Sequence, residues 1–258
     1  MTTSPALLPK ELLQILALAA ESDSIELKLT VPPGSYRPAA KALAFDPLAA
    51  QIRQVYFFDT PDLALNRAGL VVRARRIQGR DGDSVVKLRP LVPSDVAKAF
   101  RTSAQFNVEV DTMPGGYVCS GSMKRVVTPR AVLDATAGRQ PLRKLFSKEQ
   151  RAFYAAHAPD GVALDDLSVL GPILVLKVKF QAEGFGQRLV VELWTYPDGS
   201  RVVELSTKCL PDDVIKVAVA SRAFLDSHGI PVGGEQQTKT KTALEFFAAE
   251  LLAEGAPA

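Results

Sequence analysis

Eight cations occupy every second position of short alternating segments. They are Lys28 in SIELKLTV, Arg73 and Arg75 in GLVVRARRI, Lys87 and Arg89 in SVVKLRP, Lys177 and Lys179 in ILVLKVKFQ, and Lys208 in RVVELSTK. Glu26, Glu109, Asp111, Glu192 and Glu204 share that alternation. Side chains of an extended chain point to opposite faces in turn, so each segment has one apolar and one ionic face. If the ionic faces converge on an enclosed space, the cations repel one another strongly unless an anion fills it. The matching ligand is compact and polyanionic, a di- or triphosphate chain. Guanidinium forks bind phosphate oxygens in pairs and lysine adds point charge. The carboxylates facing the same space would hold a divalent metal bridging phosphate oxygens. Phosphoryl transfer of this kind rests on positioning and electrostatics and needs no protein nucleophile. Cys119, Cys209, His157 and His228 stand in no metal-binding or nucleophile–base spacing, and are read as buried or incidental.

The elements that must position these groups follow from the same periodicity. Of the 258 residues, 47% are hydrophobic and 23% charged, and 31 Lys+Arg against 28 Asp+Glu leave a formal charge of +3. That balance fits a globular domain and excludes a disordered tail or a disulfide miniprotein, and any functional charge must be local. Eight strands are expected: 24–31, 53–59, 69–77, 84–90, 104–111, 173–181, 187–194 and 201–208. GRDGD before Ser84 and YPDG at 196–199 read as hairpin connections. Helical spacing covers 39–50, 141–158, 211–228 and the C-terminal TKTALEFFAAELLA, where Phe246 and Phe247 read as helix-core residues. Leu8, Leu12, Ile15 and Leu16 share one face of an N-terminal helix. Residues 115–139 read as loops. The expected fold is α+β, a closed eight-stranded antiparallel β-barrel with helices packed outside and the ionic faces lining its lumen. One domain over 1–258 is expected, with a helix over 1–20, a loop and helix insertion over 112–165 and a C-terminal helix over 238–253. No apolar run approaches the ~20 residues of a membrane span, and a cytoplasmic location is expected.

Six segments resemble the CYTH family, the triphosphate tunnel metalloenzymes. They are IELK at 25–28, YFFDTPDLALNRAGLVVRARR at 56–76, VKLRP at 86–90, VVELW at 190–194, VVELSTK at 202–208 and QTKTKTAL at 237–244, in order along the chain. The resemblance implies an eight-stranded tunnel that binds a triphosphate through basic residues and Mg²⁺ or Mn²⁺ through glutamates. Known members hydrolyse inorganic triphosphate, thiamine triphosphate or RNA 5′ ends, and some are adenylate cyclases. Carried onto this sequence, Lys28, Arg73, Arg75, Lys87, Arg89, Lys177, Lys179, Lys208 and Lys239 are the triphosphate-binding residues. Glu26, Glu192 and Glu204 are the metal ligands, and Lys87 and Glu109 the catalytic pair. Two departures stand out: Ser24 replaces the first glutamate of the family's ExExK, and Ser206 the second of its last ExE.

The reading carried furthest is metal-dependent hydrolysis of a phosphoanhydride. The serine replacements motivate an alternative, a polyphosphate- or nucleotide-binding module without turnover, and adenylate cyclase is a third. Nucleic-acid binding is disfavoured because the basic residues alternate inward and form no exposed patch. Trp194 reads as a core or rim residue, and Asp81 to Asp83 as a hairpin turn.

Overall fold

The computed structural model describes residues 17–232 and 239–254. Its strands are β1 Ser24–Val31, β2 Gln51–Asp59, β3 Leu70–Ile77, β4 Arg80–Leu88, β5 Phe106–Met113, β6 Gly116–Val127, β7 Ser168–Gln181, β8 Arg188–Thr195 and β9 Arg201–Cys209. They close into a barrel in the order β1-β5-β6-β4-β3-β2-β7-β8-β9. The helices are α1 Tyr36–Leu43, α2 Ala64–Arg67, α3 Lys98–Arg101, α4 Pro129–Thr136, α5 Lys148–His157, α6 Val214–Ser227 and α7 Lys239–Glu254. Of the expected N-terminal helix, residues 17–20 are helical; its apolar stripe, Leu8 to Leu16, lies outside the described residues.

Two features correct the eight-stranded antiparallel expectation. The described barrel has nine strands, and β1 pairs with β5 in parallel. The two facts are one: an odd ring cannot alternate direction all the way round, so one neighbouring pair must run parallel. The additional strand is β6, in the stretch read as loops. Its middle is Ser120-Gly121-Ser122, without alternating apolar residues. Small residues are needed there because a Cβ at Gly121 would lie 2.7 Å from the Phe106 ring. The β3–β4 turn is also displaced from its expected place. It falls at Gln78–Gly79, so Asp81 to Asp83 belong to β4 rather than to the turn.

Helices cover the outward apolar faces, and each burial of a large side chain stabilises by ~1.5–3 kcal/mol. Phe58, Val72, Val86 and Met123 pack under Val132, Phe146 and Phe153. Leu29, Val191 and Leu205 pack with Leu43 of α1 and with Phe224 and Leu225 of α6. Gln150 fastens α5 to the wall: its amide nitrogen donates to the carbonyls of Ser84 at 3.0 Å and Met123 at 3.1 Å. One sector of the lumen departs from the expected ionic lining. Val55, Phe57, Val71, Val175, Trp194 and Val202 share the inward alternation with the charges, yet form an apolar patch packed on Ala243, Leu244 and Phe247 of α7. The C-terminal helix therefore covers one end of the barrel from within that sector.

The DTPD stretch serves the frame. Asp59 is buried, and its carboxylate accepts from the backbone N–H of Thr60 at 2.8 Å, Leu65 at 2.9 Å and Asn66 at 3.0 Å, fixing the turn into α2. Gly69 then enters β3 at φ +76°, where a Cβ would come 2.4 Å from the Arg89 carbonyl. Only glycine allows that approach, which seats Arg89 at the end of β4.

Candidate functional site

The inward alternation gathers the charges in three groups. In the first, Lys28 Nζ lies 2.9 Å from Asp111 Oδ1 and 3.2 Å from Glu26 Oε2, and Lys87 Nζ lies 3.5 Å from Asp111 Oδ2 and 4.0 Å from Glu109 Oε1. Lys208 pairs with Glu109 and lies 3.9 Å from Glu26. Both serines that stand where the resemblance expects carboxylates belong here: Ser24 Oγ donates to Glu109 at 3.4 Å and Ser206 Oγ to Glu26 at 3.0 Å. In the second group, Lys177 donates to Glu192 at 2.7 Å, and Lys239 reaches from α7 to Glu192 at 2.6 Å and Glu204 at 2.7 Å. In the third, Arg75 holds Asp83 through two parallel bonds of 2.7 Å.

Other cations have no such partner. Arg73 makes no ion pair among the described residues, and its buried Nε has no hydrogen bond. Burial, with repulsion from Arg75, pushes its guanidinium down to about 10. Arg89 is likewise lowered, chiefly by burial. Lys179 is lowered by burial and then by the repulsion of Arg53, Arg188, Arg80 and Lys124. Those residues lie at the barrel end where β3 meets β4 and β7 meets β8, opposite α7. Cations gathered at one end of a barrel raise the local concentration of anions there.

Opposed shifts mark how closely the first group is balanced. Burial pushes the Asp111 carboxyl up, but Lys28 and Lys87 outweigh it and hold it down at about 2. Burial also lowers Lys28, and Glu26 and Asp111 reverse that, leaving it raised. Lys87 stays lowered, because burial and the repulsion of Lys28 and Arg73 exceed the help from Asp111 and Glu109.

All the positions assigned from sequence lie on the inward alternation or, for Lys239, reach in from α7. They are not equivalent. The ligand atoms within 4.8 Å of one another belong to Glu26, Glu109 and Asp111, not to the expected trio Glu26, Glu192 and Glu204. That acidic set fits a hard divalent cation, which prefers oxygen donors. Lys28 already stands 2.9 Å from Asp111 Oδ1 and 3.2 Å from Glu26 Oε2, so a cation entering there displaces that ammonium. Glu192 and Glu204 belong to no such group of three carboxylates among the described residues, and the Lys239 ammonium is bonded to both. Two lumen residues escaped the sequence reading. Arg53 is 7% exposed and alternates with the apolar Val55 and Phe57, which mask its place on the inward face. Asp83 looked like part of a turn. Trp194 is a core residue as expected, 5% exposed, stacked on Phe57 at 6.4 Å and donating to Glu192 at 3.1 Å. A separate cavity of about 230 Å³ lies on the outer wall beneath α6, lined mainly by apolar side chains such as Leu29, Leu205 and Phe224. Lys28 and Ser206, which also belong to the charged lumen, form part of its lining.

No family model matches the chain, and no curated protein does. Solved structures do match. One is from Hippeastrum, described as a candidate adenylyl cyclase with a dominant triphosphatase activity; the match is 18% identical, covers 86% of this chain and 95% of that one, and has a TM-score of 0.63. Another is a candidate adenylate cyclase from Bacillus halodurans, 12% identical over 85% of this chain and 97% of that one, with a TM-score of 0.59. The chain thus shares its barrel fold with these two solved structures. Among the described residues no helix is long and apolar enough to cross a membrane.

Proposed function

We propose that the lumen binds a triphosphate-containing anion, inorganic triphosphate or the triphosphate of a nucleotide or thiamine, and hydrolyses one of its phosphoanhydride bonds. The observation that carries this is Arg73, a buried guanidinium beside Arg75 with no carboxylate of its own among the described residues. A buried unpaired charge costs several kcal/mol, and a phosphate entering from the basic mouth supplies its counter-charge. Arg89 and Lys179 extend that path, and Lys28, Lys87, Lys177 and Lys208 exchange carboxylate contacts for phosphate oxygens.

Glu26, Glu109 and Asp111 would hold Mg²⁺ or Mn²⁺, which supplies charge neutralisation to the phosphate oxygens when bound. Lys87 meets the phosphoryl group under attack. Glu109, which accepts from Ser24 and Lys208, orients the incoming water and takes its proton. The matches to triphosphatase and cyclase structures support the fold that this chemistry needs.

A second reading, capture without turnover, is favoured by Ser24 and Ser206, hydroxyls where the family places carboxylates. Cyclisation needs a purine site as well, and Trp194, the one tryptophan, is already packed between Phe57 and Lys239. Phosphate release from inorganic triphosphate, ATP and thiamine triphosphate, with Mg²⁺ or Mn²⁺ and with chelator, tests hydrolysis. Calorimetry with tripolyphosphate tests capture. Heat without release supports the second reading, and neither signal refutes both.

A further inference from the structure

Glu192 and Glu204 are direct partners across the β8–β9 ladder. Like charges so placed are destabilising, and the more so in a buried site. Some cation must lie between them, and the chain provides one. Lys239 Nζ donates to Glu192 Oε2 at 2.6 Å and to Glu204 Oε1 at 2.7 Å. The same ammonium lies 5.0 Å from the centre of the Trp194 ring, within cation–π range.

The remaining acceptor capacity of Glu192 is largely taken. Its Oε1 accepts from Lys177 at 2.7 Å, and its Oε2 also accepts from Trp194 Nε1. Burial pushes the Glu192 carboxyl up, yet Lys239 and then Lys177 overcome this and hold it well below the usual carboxylate range. The backbone carrying Lys239 is anchored as well. Tyr196 Oη donates to the Lys239 carbonyl at 3.1 Å, and Ala243, Leu244 and Phe247 sit in the apolar sector of the lumen. A tethered ammonium acts at high effective concentration, against which a free cation must compete.

We infer that Lys239 is the resident cation of the Glu192–Glu204 pair, standing where a divalent metal would otherwise bind. This half of the tunnel takes up its anion without a metal ion. The inference deepens the anion-receptor reading and rests on it only for that consequence. A metal, where one enters, is confined to Glu26, Glu109 and Asp111.

The test is Mn²⁺ alone, titrated into the full chain and followed by electron paramagnetic resonance. Lys239→Gln should gain one Mn²⁺ site relative to wild type, with affinity raised at least ~10-fold, as expected when a charge-assisted bond of ~1.5 kcal/mol or more no longer competes. Lys239→Gln with Glu204→Gln should lose that site, and Lys239→Arg should not gain it. Should Lys239→Gln fail to fold, Glu204→Gln alone still decides. Unchanged Mn²⁺ binding in that variant supports the assignment, and loss of a wild-type site overturns it. Equal Mn²⁺ binding by wild type and folded Lys239→Gln overturns it too. Calorimetry with tripolyphosphate in chelator separates the two readings. Binding without metal is expected, and binding that needs Mn²⁺ refutes the inference alone. No binding under either condition refutes the receptor and leaves the Mn²⁺ comparison standing.

Discussion

Arg75 and Asp83 are cross-strand partners on β3 and β4, joined by two bonds of 2.7 Å, while Arg73, two residues earlier on the same face, pairs with no carboxylate among the described residues. Among the described residues Asp83 is the one carboxylate paired with either guanidinium, and Lys124 shares it at 3.5 Å. Asp83→Asn leaves two adjacent buried cations uncompensated. Breaking such a pair from one side costs about 3 kcal/mol or more, a Tm loss of roughly 6–12 °C at this chain length. Tripolyphosphate should stabilise the variant more than wild type, because it replaces the missing charge. Scanning fluorimetry with and without the anion measures both. An equal anion-induced shift in the two proteins would show that Arg75 never meets the ligand.

Arg73→Met separates binding from stability. Removing a buried cation that has no carboxylate should leave the free protein as stable as wild type or more so. The same change should weaken tripolyphosphate binding about 10- to 100-fold, the worth of charge-assisted bonds to phosphate. Calorimetry and urea unfolding on one preparation give the two numbers. Affinity within twofold of wild type would remove Arg73 from the binding path.

The lumen was legible where the chain alternates a charge with an aliphatic side chain. Lys28, Arg73, Arg75, Lys87 and Glu192 all alternate so, and period two alone puts each on one face. β6 was not legible, because close packing against Phe106 demands Gly121, and its serines erase the alternation. The parallel β1–β5 pairing depends on the parity of the whole ring, which no single segment carries. Arg53 and Asp83 were lost for a local reason: one alternates with the apolar Val55 and Phe57, the other stands beside glycine. The partner choices were beyond the sequence altogether. Alternation puts Glu192 and Glu204 on one face, and the resemblance alone brought in Lys239; neither says that the lysine lies between the carboxylates.

Placing carboxylates at Ser24 and Ser206, where the resemblance expects them, should reveal what the serines do. Ser206→Glu places a second negative charge where Ser206 Oγ now donates to Glu26 at 3.0 Å, and Ser24→Glu does the same beside Glu109. The double variant should melt several degrees lower in chelator and recover with Mn²⁺, which neutralises the added charge. If the serines are what limits turnover, phosphate release should rise at least ~10-fold in the same protein, a barrier change of about 1.4 kcal/mol. Recovery of Tm by Mn²⁺ without any gain in release would place the deficit elsewhere than in the carboxylates.

Asp111 gives the lumen an acid limit. Its folded value of about 2 lies below the ordinary carboxylate value near 3.9. A depressed acid binds fewer protons in the folded state, so its stabilisation is complete above about pH 4 and disappears as pH falls through about 2. The residue is 4% exposed, so solvent screens the effect little, and its size is on the order of 2 kcal/mol. Urea unfolding between pH 5 and pH 2 should show wild type losing stability steeply in that window. Asp111→Asn, weaker at pH 7 because Lys28 and Lys87 lose their nearest carboxylate, should show a shallower slope. Parallel slopes for the two proteins would mean that the acid sensitivity belongs to other carboxylates, with Glu26 the first to examine, since Lys28 and Lys208 also hold it low against the opposing effect of its burial.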